Sequence, residues 1–149
     1  MKHAPDLERV IERMRPGALT LRGFLGTDRR DLAEVLDADA AAAARLGVAH
    51  ADLARTLQAV LRRAAAALGT KVPVGRHHHA EYLEAMGRVP CPWGDGTFQK
   101  GEVTLVDDRT GEALRFSPLS IHMIAAHGFY NGRGSRYRLE PAALHRLDD

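Results

Sequence analysis

The hydrophobic period of the chain changes at Gly69, and that change limits the fold more than any other feature. Before Gly69, apolar residues recur at helical spacing; after it, they alternate or stand in short runs between glycines and prolines. In residues 5–14, Leu7, Val10, Ile11 and Met14 mark one face of a short helix that Pro5 opens and Pro16-Gly17 ends. Leu32, Val35, Leu36, Ala40, Ala43 and Leu46 predict a longer helix. It should begin near Thr27 or Asp28, either of which can cap free backbone N–H groups, and end at Gly47. Asp39 interrupts that stripe. It reads as a carboxylate paired or solvated at the edge of the face, the other reading being a carboxylate aimed inward at a site. A third helix over about 51–68 carries Leu53, Leu57, Val60, Leu61, Ala64 and Leu68. The short link 47–50 makes the last two a helical hairpin, with His50 at the cap.

Beyond Gly69, residues 71–75 predict a short strand that Pro73 confines to a sheet edge. Residues 77–86 carry helix propensity, yet a strand is expected, because the hairpin that follows needs a partner. Residues 89–101 read as a loop, stiffened by Pro90 and Pro92 on either side of Cys91. Residues 102–107 and 112–116 form a hairpin about the turn 108–111. Ser117 caps a helix with Pro118 in its first turn, and Gly128 closes it after His127. Pro141 starts a short final helix with Leu144 and Leu147.

The expected architecture is α+β: an N-terminal helical hairpin packed on a small, mainly antiparallel sheet, with a C-terminal β-hairpin–helix unit. At 149 residues one domain is expected, with a helical part over 1–69 and a β-hairpin–helix part over 70–149. Only 5% of residues are aromatic, so aliphatic residues must fill the core. A net charge of +2 is too small to imply nucleic acid by itself. No apolar run reaches 18 residues and the N-terminus has no apolar signal core, so no membrane partner is expected. One cysteine rules out a disulfide within the chain and fits a reducing cytoplasm.

The residues that carry chemistry cluster after Gly69. Cys91, His122 and His127 are candidate ligands of a metal, zinc above all, because thiolate and imidazole are the donors zinc prefers. The five-residue step from His122 to His127 turns about 140° around a regular helix, so the rings are expected to converge where the last turn unwinds at Gly128. A fourth ligand must come from elsewhere, and His79 or His77 is the natural source if their strand joins the hairpin. With an open position the metal would be hydrolytic, and Glu81, Glu84 or Asp39 would be the candidate base. With four protein ligands it would be structural. The simpler readings are histidines satisfied within the core and a cysteine acting as a small buried hydrophobe.

An independent candidate follows in the loop 128–138. Arg133, Arg136 and Arg138 are interleaved with Tyr130 and Tyr137, and glycines stand at 128, 132 and 134. Arginine forks bind phosphate or carboxylate, tyrosines stack on bases, and glycines let backbone N–H groups approach an anion. The loop is therefore the alternative site, for a phosphate ligand or nucleic acid. Salt bridges to Glu140 or to the acidic N-terminal helices are the structural reading of the same arginines.

Cys91-Pro92-Trp93, Thr110-Gly111-Glu112, the run HMIAAHGFY over 122–130 and Tyr137-Arg138-Leu139-Glu140-Pro141 resemble the C-terminal half of a group of small uncharacterised bacterial proteins. The resemblance covers about residues 88–147 and implies no activity. The triple histidine 77–79 is not part of it, which speaks against His77 and His79 as ligands.

Overall fold

The computed structural model describes residues 5–148. Helix α1 (Pro5–Arg13) is followed by a glycine-bounded connector, then α2 (Leu32–Leu46) and α3 (His50–Ala66). Strands β1 (Val72–Val74), β2 (His78–Pro90), β3 (Thr97–Asp107) and β4 (Ala113–Phe116) form one antiparallel sheet in the order β1-β2-β3-β4. Helix α4 (Pro118–His127), α5 (Pro141–His145) and a closing 3-10 turn (Arg146–Asp148) complete the chain. The α+β class expected from the change of period is the class found. No helix among the described residues is long and apolar enough to cross a membrane.

Two boundaries differ from expectation for identifiable reasons. Helix α2 begins at Leu32 because Thr27 and Asp28 are used elsewhere. The Asp28 carboxylate takes both the Arg30 side chain and the Arg133 N–H, and the Thr27 N–H donates to the Arg133 carbonyl. These bonds clamp the connector to the C-terminal loop, where Gly26 and Gly132 allow the two backbones to touch; a Cβ on either would meet backbone atoms at 2.2 or 2.3 Å. The second difference is larger. Residues 89–101 are mostly strand, not loop: Val89 faces Phe98 and Pro90 faces Thr97, so only residues 91–96 turn the hairpin. The Arg88 guanidinium bonds the Thr97 hydroxyl and carbonyl across the ladder, and Pro90 is tolerated because it ends its strand. A bulge between Glu84 and Arg88 divides this hairpin into a base and a tip.

The apolar residues form two cores. One joins Leu53, Leu57, Val60 and Ala64 of α3 to Ala80, Tyr82, Val103, Leu105 and Phe116 of the sheet. The other joins Val10, Met14 and Phe24 to Leu32 and Val35 of α2 and to Val89 and Cys91 of the hairpin tip. Helix α4 belongs to both: Ile121 and Ile124 enter the first, Leu119 and Met123 the second. The hairpin helices thus bury their apolar faces in different cores.

Asp39, at the centre of α2, is buried and paired. Its carboxylate accepts both Arg138 Nη groups, at 2.6 and 2.9 Å, and Arg138 also bonds the Asn131 carbonyl and Glu140. The other reading of Asp39, as a carboxylate aimed at a site, has no support here, since the guanidinium occupies it. Removing one partner strands the other charge in the interior, which typically costs about 3–5 kcal/mol. Asp39→Ala should therefore lower stability by about 3 kcal/mol or more in urea unfolding. An Asp39→Leu/Arg138→Met double variant should lose clearly less than the sum of its single changes.

Candidate metal centre

The tip of the β2–β3 hairpin reads Cys91-Pro-Trp-Gly-Asp-Gly96. It closes on itself: the Cys91 N–H donates to the Gly96 carbonyl, and the Gly94 N–H to the Cys91 carbonyl, both at 2.9 Å. Gly94 and Gly96 supply the positive φ values this needs, 78° and 150°. Arg13 of α1 holds the tip from outside by donating to the Pro92 carbonyl. Cys91 and Asp95 consequently share one concave side of a rigid turn, against which α4 presents His122 and His127.

Helix α4 starts as its sequence predicts. Ser117 accepts the Ser120 N–H and the Ser120 hydroxyl accepts the Ser117 N–H, with Pro118 in the first turn. It does not unwind before its end. Gly128 takes the left-handed cap at φ 63°, and the Gly128 and Phe129 N–H groups return to Ile124 and Met123. The expected unwinding is therefore not what brings the histidines together. Their rings reach around an intact helix end to a centroid separation of 5.5 Å, and the hairpin tip supplies a group between them. Aromatic stacking fixes both rings: Trp93 lies on His127 at 4.1 Å, and Phe98 on His122 at 4.4 Å.

That bridging group is Asp95. One carboxylate oxygen lies 3.0 Å from His122 Nε2 and the other 2.8 Å from His127 Nε2. The Cys91 thiol also hydrogen-bonds to it. One ligand atom from each of Cys91, Asp95, His122 and His127 lies within 4.8 Å of all the others. The group could hold a metal ion: a thiol, two imidazoles and a carboxylate converge on one point. Cys91 is only 1% exposed, whereas Asp95 is the most open of the four. Burial, and then the neighbouring carboxylate, push the Cys91 thiol up to about 12. Burial works against ionised Asp95, but hydrogen bonds from Cys91 and His122 and the attraction of His127 together hold its carboxyl well below the usual range. Burial lowers His127, favouring the neutral ring that binds a cation.

The structure brings three of the four proposed ligands together and places the fourth elsewhere. His79 bonds Asp108 at 2.5 Å, and neighbouring His78 faces Asp107. His79 stands near the start of β2 and Cys91 just past its end; twelve residues at about 3.3 Å rise each would span roughly 40 Å, less what the bulge takes up. Pairing their strand with the hairpin, the reason His79 was a candidate, is what separates them. Among the proposed bases, Asp39 is bound to Arg138, and neither Glu81 nor Glu84 belongs to the cluster. The fourth donor of the cluster, which the sequence reading missed, is Asp95. Its signal was the Cys-x-x-x-Asp spacing between two glycines, which is informative only once 91–96 is known to be a tight turn.

The arginine loop is occupied by carboxylates. Arg136 makes a two-pronged bond to Glu102, which also accepts the Tyr137 hydroxyl. Arg138 is committed to Asp39 and Glu140, and Tyr130 is buried with its hydroxyl 2.7 Å from His50 Nδ1. Of the three arginines, Arg133 alone keeps its guanidinium out of ion pairs among the described residues. The salt-bridge reading of this loop is the one the contacts favour.

Comparison of the chain with protein-family models, with curated proteins and with solved structures finds no match.

Two outcomes are expected. Loss of second-shell support alone typically lowers metal affinity about 10–100-fold. His122→Ala should therefore weaken cobalt(II) or zinc binding by more than about 100-fold, while His79→Ala leaves it unchanged, as read by competition with a chromophoric chelator. The second concerns pH. The Arg136 hydrogen bond holds Glu102 below its ordinary value, and Arg138 does the same for Glu140. Stability from such depressed carboxylates is present above pH about 4.5 and is lost as pH falls through their lowered values. Urea midpoints should fall on acidification below that point, and Glu102→Gln should flatten the fall while lowering stability at pH 7.

Proposed function

We propose that the protein binds zinc in a structural centre made of Cys91, Asp95, His122 and His127. The observation that carries this reading is the convergence of four donor atoms from two separate elements, the hairpin tip and α4. One thiolate with nitrogen and oxygen donors suits a borderline-soft ion better than magnesium or calcium, which prefer oxygen alone. Four protein donors favour a structural role over a hydrolytic one, which keeps a position open for water. In that role the ion ties the tip to α4, and Cys91 and Asp95 contribute the negative charge that balances it. The stacked Trp93 and Phe98 hold the imidazoles in the orientation the ion needs. The phosphate or nucleic-acid reading has less support, because Arg136 and Arg138 already bind carboxylates.

The decisive measurement is elemental analysis of protein purified without a histidine tag. Stoichiometric zinc is expected, lost in Cys91→Ser and in His122→Ala. An ion held at 1,000 times its dissociation constant stabilises by about 4 kcal/mol, and each kcal/mol shifts a domain of this size by about 2–4 °C. Chelation should therefore lower the melting temperature by about 10 °C. Trace metal only, with a melting temperature indifferent to both chelator and Cys91→Ser, would leave the four side chains as a hydrogen-bonded cluster centred on Asp95.

A further inference from the structure

A cleft of about 610 Å³ opens beside the second core, lined by the connector 20–26, the bulged part of the hairpin, the first turns of α4 and the loop 131–137. Its volume is in the range of small-molecule sites. Its floor is apolar, with Phe24, Leu119 and Met123 all buried. Its rim carries two large apolar side chains in water, among charged ones. Leu21 is 85% exposed and Leu83 is 54% exposed, and both line the cleft. Large apolar side chains left in water cost free energy that a ligand can recover on binding.

The charges lining the cleft indicate what such a ligand carries at its polar end. Arg136 and Glu102 cancel in their two-pronged pair. That leaves Arg22 and Lys100, neither in an ion pair among the described residues, against Glu84. The excess is one cation, and both free cations sit on exposed positions, where an anionic head can meet them without a buried charge. We infer that this cleft binds a small amphipathic carboxylic acid, its apolar body between Leu21, Leu83 and the floor, and its carboxylate paired with Arg22 or Lys100. The assignment uses none of the four donors of the metal centre and stands whether or not zinc is bound there.

Decanoate is a suitable probe, compared with decyltrimethylammonium and decanol, each titrated calorimetrically into the full chain below micelle-forming concentrations. Decanoate should bind saturably and at least tenfold tighter than the ammonium. Leu21→Asp/Leu83→Asp should abolish binding; because both residues are exposed, its circular dichroism and melting temperature should match those of the parent. Arg22→Glu/Lys100→Glu should reverse the preference between the anionic and cationic probes. Metal content is measured on the same samples, so metal-free protein that still binds decanoate would sink the zinc reading and leave this one standing. The inference is overturned if no probe saturates or if the ammonium binds the parent chain more tightly. It is likewise overturned if all three bind alike and the leucine variants change nothing.

Discussion

Helix α4 is the constraint on which the rest of the structure depends. Ten residues long, it places Ile121 and Ile124 in one core and Leu119 and Met123 in the other. A helix buried on most sides must be apolar on most sides, and this one is; its polar residues are confined to Ser120 in the capping box and the two histidines. The two histidines, about 140° apart around α4, flank the Leu119–Met123 face that enters the second core, and the hairpin tip closes over both margins of that face. The arrangement follows from packing: polar side chains stand at the margins of the faces that the cores cover.

Much of the fold could be read from local rules. The helix from Pro118 to His127 has Ser-Pro at its start and Gly at its end, and it is found with those limits. Gly47 closes α2 in the left-handed conformation, and Pro73 sits on the edge strand. What misled was long-range. Thr27 and Asp28 have good capping chemistry, but a loop more than a hundred residues away competes for them and wins. The segment 89–101 is rich in Gly and Pro, and its strand character comes from pairing across the ladder, which no local propensity reports.

The candidate site shows the same division. Cys91, His122 and His127 were legible because thiol and imidazole are uncommon and suit a metal. Asp95 was not, because an aspartate between glycines is ordinary turn chemistry until the turn is seen to face a helix. His79 was misplaced for a geometric reason: strand pairing was foreseen, but the length of the strand was not. The arginines of the last loop illustrate the opposite case. Their residue type suggested anions, and the anions are the chain's own Asp39, Glu102 and Glu140.

The bulge between Glu84 and Arg88 has a kinetic consequence. It cuts the hydrogen-bond ladder, so the outer hairpin continues through only Arg88, Val89 and Pro90 with their partners. Beyond that break the segment is held less by the ladder than by the second core, in which Val89 and Cys91 are buried, so lifting it means opening that core. The chain's single thiol, Cys91, lies in that segment and is shielded by it. Its rate of alkylation is therefore a clock for lifting of the tip, built into the native sequence and read without any label or substitution.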